Sequence, residues 1–317
     1  MVSISLILPV RGTSYFYSKS ILNNLKQLEL NDELIVVDDN KDDIYSKELL
    51  EIRKKFYNVT NLKIVKNPGN GLVPALNYGI SISKNNWIAR VDVDDLYSEN
   101  RLKVQKRFIR KGVSAIFTDY QFIDSEGNNL GAIYSPIFND AILISLISSQ
   151  RTPHPSVIFS KQAFLKSGGY KEIDFPVEDL SLWLRLNRYG KLISIPDILL
   201  YYRIHDSSIT AKNQIIIKNK RDSLLKNYRF PKHIFQIRKY LLIFKKYKNY
   251  SFKAERRLLF TYDFIKLLYL KKYYFKIILI TSFILITIVI KPGYALVLSR
   301  MFRERIKRNH YRDLFHV

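Results

Sequence analysis

The sequence predicts an α/β fold: a doubly wound, mostly parallel, Rossmann-like sheet over residues 1–210, followed by a basic helical region over residues 211–317. Three observations carry this expectation. Short β-rich runs recur about every 25–30 residues, the spacing of right-handed βαβ crossovers. Runs such as Leu34-Ile35-Val36-Val37 are almost continuously apolar, which suits strands covered on both faces. Polar, acidic or turn-forming residues follow the carboxyl ends of the runs, where open α/β sheets place their ligands.

The first predicted strand is Ile4 to Val10. It has no positively charged leader and its apolar run is too short for a signal peptide, so it reads as structure. Strands over Glu33 to Asp38, Leu62 to Lys66, Trp87 to Val93 and Ala115 to Tyr120 follow, with helices between them. Asn67-Pro68-Gly69-Asn70-Gly71 is turn chemistry, and the Leu72 to Ser83 helix after it can face an anion with its N-terminal amides. Residues 136–210 lose the alternation, but Glu178 to Tyr189 carries its leucines and Trp183 at helical spacing. His154, between two prolines, reads as part of a rigid turn before a Ser156 to Phe159 strand.

Composition narrows the function classes. With 47% hydrophobic and 25% charged residues the chain is globular, and the absence of cysteine excludes disulfides, thiolate metal sites and cysteine nucleophiles. The net charge of +24 is not evenly spread: residues 1–210 hold 26 Lys/Arg against 23 Asp/Glu, and residues 211–317 hold 26 against 5. Such a tail fits nucleic acid or an anionic membrane face, and charge alone does not choose between them.

The apolar content does. Ile277 to Ile290 is apolar on every side and bounded by Lys276 and Lys291. As a helix it would span about 21 Å, short of the roughly 30 Å hydrocarbon core. Pro292-Gly293 then breaks the pattern before Tyr294 to Leu298 and the basic run Arg300 to Arg312. The expected arrangement is a monotopic hairpin or interfacial helix pair in one leaflet. Packing on protein or a second subunit, as in a homodimer, and a true span are the alternatives. A nucleic-acid surface would need the charge without the apolar block, so no nucleic-acid partner is expected.

Arg90-Val91-Asp92-Val93-Asp94-Asp95 places three carboxylates within four positions at a predicted strand end. Side-chain alternation would send Asp92 and Asp94 to one side and Asp95 to the other. Two carboxylates on one side suit Mg²⁺ or Mn²⁺, whose open positions phosphate oxygens fill. Taken alone the segment is an ordinary acidic turn, and Asp38-Asp39 alone is an ordinary helix cap or turn. Both lie at strand ends facing one predicted crevice.

The ordered set of motifs resembles the inverting family 2 glycosyltransferases of the GT-A fold over roughly residues 3–210. It comprises Ile7-Leu8-Pro9-Val10, Val36-Val37-Asp38-Asp39-Asn40, Asn67-Pro68-Gly69-Asn70-Gly71 with Ala75-Leu76-Asn77-Tyr78-Gly79-Ile80, and Arg90 to Asp95. Pro153-His154-Pro155-Ser156, Gly168-Gly169-Tyr170, Glu178 to Arg185 and Tyr202-Arg203-Ile204-His205 complete it. The resemblance implies that Asp39 bonds the nucleobase, that Asp92 lies near the ribose and metal, and that Asp94 ligates the metal, with His205 as a second ligand. It places Pro9, Asn67, Asn77 and Arg90 in the donor site. Where the family often has Tyr-Asn this chain has Arg11-Gly12, and Arg11 can approach a phosphate; Asn40-Lys41 replaces the common Gly-Ser.

Inverting transfer needs a general base for the acceptor hydroxyl and charge stabilisation on the departing diphosphate. The resemblance makes Asp179 that base, with Glu178 as a neighbour that raises its pKa or orients it, and Arg185 as support for a phosphate or an acid. The implied reaction moves a hexose from UDP-glucose or UDP-galactose, with Mn²⁺ or Mg²⁺, to a polyprenyl diphosphate saccharide at the cytoplasmic face of the membrane. Surface polysaccharide assembly is the expected setting. A nucleic-acid-binding protein or a non-catalytic membrane scaffold on a nucleotide-binding fold is the competing class.

Overall fold

The computed structural model describes residues 2–205 except 13, 42, 58 and 149, then 208, 213–231, 234, 236, 240, 243–244, 246–247, 253–270, 276–277 and 280–281. In chain order the elements are β1 (Ile4–Val10), α1 (Ser14–Leu25), β2 (Glu33–Asp38), α2 (Asp43–Lys55), β3 (Leu62–Lys66), α3 (Leu72–Ser81), β4 (Trp87–Arg90), β5 (Leu96–Tyr97) and α4 (Arg101–Lys106). β6 (Val113–Ile123), β7 (Asn129–Ile133), α5 (Asn139–Ser148), β8 (Ile158–Ser160), α6 (Lys161–Lys166), α7 (Glu178–Leu186), β9 (Lys191–Arg203), α8 (Gln214–Asn227) and α9 (Lys253–Leu270) follow. Short 3₁₀ turns lie at His154–Ser156 and Glu172–Asp174.

The strands form one sheet ordered β3-β2-β1-β4-β8-β6-β9-β5, with β7 on β6. Alternation along β1 and β2 explains why helices cover both faces. Ile7, Ile35 and Val37 face one core with Leu76 and Ile80 of α3, Ile142 of α5 and Trp183 of α7. Leu6, Leu8, Leu34 and Val36 face the other with Tyr17 and Ile21 of α1, Leu49 and Ile52 of α2, and Leu102 of α4. Every residue of β2 is buried, as the continuous apolar run requires.

The first half of the sheet is parallel, as predicted: β1 pairs with β2 and β4, and β2 with β3. The second half is not. β8 runs antiparallel between β4 and β6, β5 is antiparallel to β9 and β7 to β6, while β6 and β9 are parallel. The sheet is therefore mixed rather than mostly parallel. β8 lies near the predicted Ser156 to Phe159 strand, but three residues do not encode the direction in which it runs, and its insertion separates the two parallel halves.

Residues beyond 210 enter the same core. Leu225 of α8 and Phe260, Phe264, Leu267 and Leu268 of α9 pack with α5 and Trp183. Arg256 of α9 makes a buried ion pair with Asp119 of β6, Nη2 to Oδ2 2.5 Å, and donates to Ser135 O. The predicted membrane block, from Ile277 through Arg312, lies outside the described residues apart from Ile277, Ile280 and Thr281. Among the described residues no helix is long and apolar enough to cross a membrane.

Gly79 fixes how closely α3 sits on the sheet. A Cβ there would lie 2.7 Å from Ile7 Cγ2 and 2.9 Å from Val37 Cγ2, both on stiff β-branched side chains. Overpacking of this kind costs about 1–3 kcal/mol, against a gain of about 1 kcal/mol from helix propensity. Gly79→Ala should therefore lower the urea unfolding midpoint, and an unchanged or raised midpoint would contradict this account of the α3 contact.

Candidate active site

The order β3-β2-β1-β4 puts the carboxyl ends of β1, β2 and β4 side by side, and the site is built there. At the end of β2 the two aspartates divide the work. Asp38 accepts from Asn40 N and Asn40 Nδ2 and pairs with Lys66, so it shapes the turn. Asp39 Oδ1 accepts from Asn67 Nδ2 at 2.6 Å and Gly71 N at 2.8 Å, while Oδ2 faces Arg11 Nη1 at 3.4 Å. Gly71 holds φ +100°, a left-handed conformation that favours glycine, and so can present its amide to Asp39. Arg11, Asp39 and Asn67 thus meet, beside Pro9, whose register partner is Val37.

The second acidic segment departs from its prediction. β4 ends at Arg90, not Val93, and Val93-Asp94 form a bend. Strand alternation no longer applies, and instead of pointing away Asp95 joins the others: ligand atoms of Asp92, Asp94 and Asp95 lie within 4.8 Å of one another. His205 Nε2 lies 2.6 Å from Asp94 Oδ2.

Like charges this close need counter-charge. Buried Arg90 pairs with Asp92 and donates to Val91 O. Arg203 at the end of β9 donates from Nε to Asp94 O at 2.8 Å and from its backbone N to Asp95 Oδ1 at 2.8 Å. Arg101, fully buried, stacks 4.5 Å over the Tyr97 ring, and the Tyr97 hydroxyl accepts from Asp92 N. Desolvation still dominates: it pushes Asp92 up to about 6, against Arg90 and with the help of Asp94, and holds Asp95 well above the usual carboxylate range.

The third acidic pair opens α7. Glu178 is buried and Asp179 partly exposed. Asp179 Oδ1 accepts from Leu180 N at 2.6 Å and Oδ2 from Gln150 Nε2 at 3.0 Å. Burial raises Asp179 to about 6, opposed by the Leu180 amide and Arg221. Burial, then the charge of Asp179, raises Glu178 to about 8. At neutral pH Glu178 holds its proton and Asp179 does not, so the charge of Asp179 raises the pKa of Glu178 rather than the reverse. Asp92 also senses Asp179, which sets the two acidic groups in one electrostatic field.

Three further residues brace the site. Asn77 spends both side-chain ends on the Tyr170 backbone, Nδ2 to O at 2.9 Å and N to Oδ1 at 3.1 Å. Arg185 donates to Ser167 O and Gly169 O and lies 4.0 Å from Asp174. His154, in the expected rigid turn, contacts the Tyr170 hydroxyl at 2.7 Å, and burial holds its pKa well below the usual imidazole value. Sequence reasoning missed Asp95, Gln150, Arg101 and Arg203 as site residues. Asp95 and Arg203 had a signal, each lying inside a motif that carries the resemblance, Arg90 to Asp95 and Tyr202 to His205.

Three carboxylates and one imidazole are the donor set of a hard divalent cation such as Mn²⁺ or Mg²⁺. Asp95 Oδ2 is buried with no hydrogen-bond partner among the described residues, an oxygen that a cation would satisfy. The residues fit the group.

A stability consequence follows from Glu178. Its folded pKa of about 8 lies above its ordinary 4.5, so the folded state holds this proton more tightly than the unfolded state. That contribution is complete below pH 4.5 and is lost as pH rises through about 8. In metal-free protein, Glu178→Gln should be more stable than wild type at pH 8 by at least about 1 kcal/mol, with the gap closing toward pH 4.5. Urea unfolding at the two pH values measures this, and a pH-independent difference would contradict it.

Comparison with known proteins gives the site a family. The family model described as Glycosyl transferase family 2 matches residues 5–170, more than half of the chain. The chain is 30% identical over 213 residues to the O-antigen biosynthesis glycosyltransferase WbnJ of Escherichia coli, covering 65% of this chain and 81% of that protein. It is 25% identical over 236 residues, 72% of this chain and 82% of the relative, to the UDP-Gal:alpha-D-GlcNAc-diphosphoundecaprenol beta-1,3-galactosyltransferase of Escherichia coli. Among solved structures, S. aureus TarS 1-349 in complex with UDP superposes with TM-score 0.55 at 18% identity, covering 84% of this chain and 81% of that one. The mannosyltransferase PcManGT from Pyrobaculum calidifontis, in complex with GDP-Man and Mn²⁺, gives 0.56 at 12% identity, covering 99% and 87%. These likenesses place the fold among GT-A-like glycosyltransferases, and with the family match over residues 5–170 the chain belongs to glycosyl transferase family 2.

Proposed function

We propose that this glycosyltransferase moves a hexose from a UDP-sugar, UDP-glucose or UDP-galactose, onto a polyprenyl diphosphate saccharide with inversion at the anomeric carbon. The observation that carries the reading is the meeting of Asp92, Asp94, Asp95 and His205 beside a partly exposed Asp179 that keeps its charge at neutral pH. Relatives named for lipid-linked galactosyl transfer and O-antigen synthesis support the acceptor class and the polysaccharide setting. The Mn²⁺ bound in PcManGT supports a divalent ion.

In this reading Asp94 and His205 would hold Mn²⁺ or Mg²⁺, and Asp92 would lie near the ribose and the ion. When bound, the ion offsets negative charge on the departing diphosphate. Asp39, steadied by Asn67 and Gly71, accepts from the nucleobase, and Arg11 reaches the phosphates. Asp179 takes the acceptor hydroxyl's proton. Its pKa near 6 suits a base that is ionised at neutral pH yet basic enough to accept a proton. Glu178, neutral beside it, adds no competing charge. The basic chain beyond residue 211, with its apolar block at 277–290, makes the contact with an anionic cytoplasmic membrane face.

Asp94→Ala or EDTA should abolish transfer from UDP-galactose or UDP-glucose to a synthetic lipid diphosphate sugar, and full activity in either case would remove the metal-dependent mechanism. Asp179→Asn should keep donor binding by calorimetry while losing at least about 10³-fold in kcat, within the usual 10²–10⁴ contribution of a general base. The acid limb of the wild-type kcat profile should fall near pH 6, where Asp179 protonates, rather than near pH 4. An NMR determination of the product anomer checks inversion.

A further inference from the structure

Between α5 and the His154 turn the chain does something costly. Gln150 sits at φ 48°, a left-handed conformation that a non-glycine residue rarely adopts, and its side chain reaches Asp179 Oδ2 at 3.0 Å. The turn is over-determined by its surroundings. Gln150 N donates to Ser145 O at 2.7 Å, and Arg151 N donates to Ser145 Oγ at 3.1 Å. Arg221 of α8 donates from Nη2 to Leu146 O and Ile147 O, both at 3.0 Å, placing a cation on the last turn of α5. Asp263 of α9, fully buried, accepts from Ser148 Oγ at 2.8 Å and from Arg151 Nη2 at 2.5 Å. Arg151 Nη1 reaches Leu259 O on the same helix at 3.3 Å.

We propose that Gln150 is a positioning residue for the base Asp179, and that Arg221 of α8 and Asp263 of α9 clamp the turn that aims it. The inference rests on the reading of Asp179 as the base. It makes α8 and α9 working parts of the catalytic centre, although both lie in the basic region that sequence patterning sets apart from it. Asp179 has one oxygen on the amide of its own helix and the other on Gln150. The second contact fixes the plane of the carboxylate and so the direction in which it accepts a proton. Among the described residues the charged and titratable groups that sense Asp179 include Glu178, Tyr170, Asp92 and Arg221.

The test uses the full chain with ¹³Cγ-labelled aspartate, the Asp179 resonance being identified by its loss in Asp179→Asn. Gln150→Met keeps the size of the side chain and removes the donor. A hydrogen bond to a charged group is worth enough to move a carboxylate by about one pH unit. The Asp179 midpoint should therefore rise by about one unit in Gln150→Met. Asp263→Asn, which weakens the clamp without emptying its space, should move it the same way. In transfer assays with UDP-galactose and the synthetic lipid acceptor, Gln150→Met should lower kcat about tenfold and shift its acid limb upward. Its KM for the donor should stay within about twofold of wild type, since the donor contacts are untouched. An unmoved Asp179 midpoint together with wild-type kcat in Gln150→Met overturns the proposal. If Asp179→Asn turns over normally, the base assignment itself fails, and that result is distinct from an inactive Asp179→Asn beside an unaltered Gln150→Met.

Discussion

The structure turns on one electrostatic constraint: three carboxylates, Asp92, Asp94 and Asp95, held within 4.8 Å of one another at the edge of a sheet. Such a cluster repels itself, and the surrounding fold is arranged to tolerate it. Arg90 comes from the end of β4, Arg101 from the helix after the acidic bend, and Arg203 from the far end of β9. Their burial means that each cation is itself desolvated, which lowers Arg101 to about 10. The compensation is incomplete, as the raised Asp92 and Asp95 show, and a divalent cation is the charge that would complete it.

A second constraint is the contrast within Glu178-Asp179. Adjacent on the first turn of α7, the two acids share a helix N-terminus that favours negative charge, yet only one of them ionises near neutral pH. The difference is exposure and partners. Glu178 is buried, with Oε2 lacking a hydrogen-bond partner among the described residues, while Asp179 has donors on both oxygens and a cation nearby. Environments that push neighbouring titratable groups apart are how one site keeps an ionised carboxylate and a neutral acid side by side.

The two constraints are joined by packing rather than by chain proximity. Trp183 of α7 stands edge-on to Phe117 of β6 and to His154, and His154 meets Tyr170, whose backbone is gripped by Asn77 of α3. Helices beyond residue 210 close the same core through Phe260, Phe264 and the Asp119–Arg256 pair. One layer of apolar side chains therefore sets the spacing between the acidic bend and Asp179.

The amino-acid pattern by itself determined β1, β2 and β3 to the residue: β1 and β2 are covered on both faces and need nearly continuous apolar runs, β3 at the sheet edge intersperses lysines among apolar residues, and each ends in turn chemistry. It also determined which acids stand at the strand ends and the family they mark, since those are local, ordered motifs. Tertiary structure alone decided the rest. The direction of β8 and its insertion between β4 and β6 turned a parallel sheet into a mixed one. Asp95 joined the cluster because a bend, not a strand, carries it. Gln150 reaches Asp179 across 29 positions and Arg203 reaches Asp94 across 109, and no local period encodes a contact made only when distant elements pack. Which side chains sense one another's charge is fixed by burial and distance, and those exist only in the folded chain.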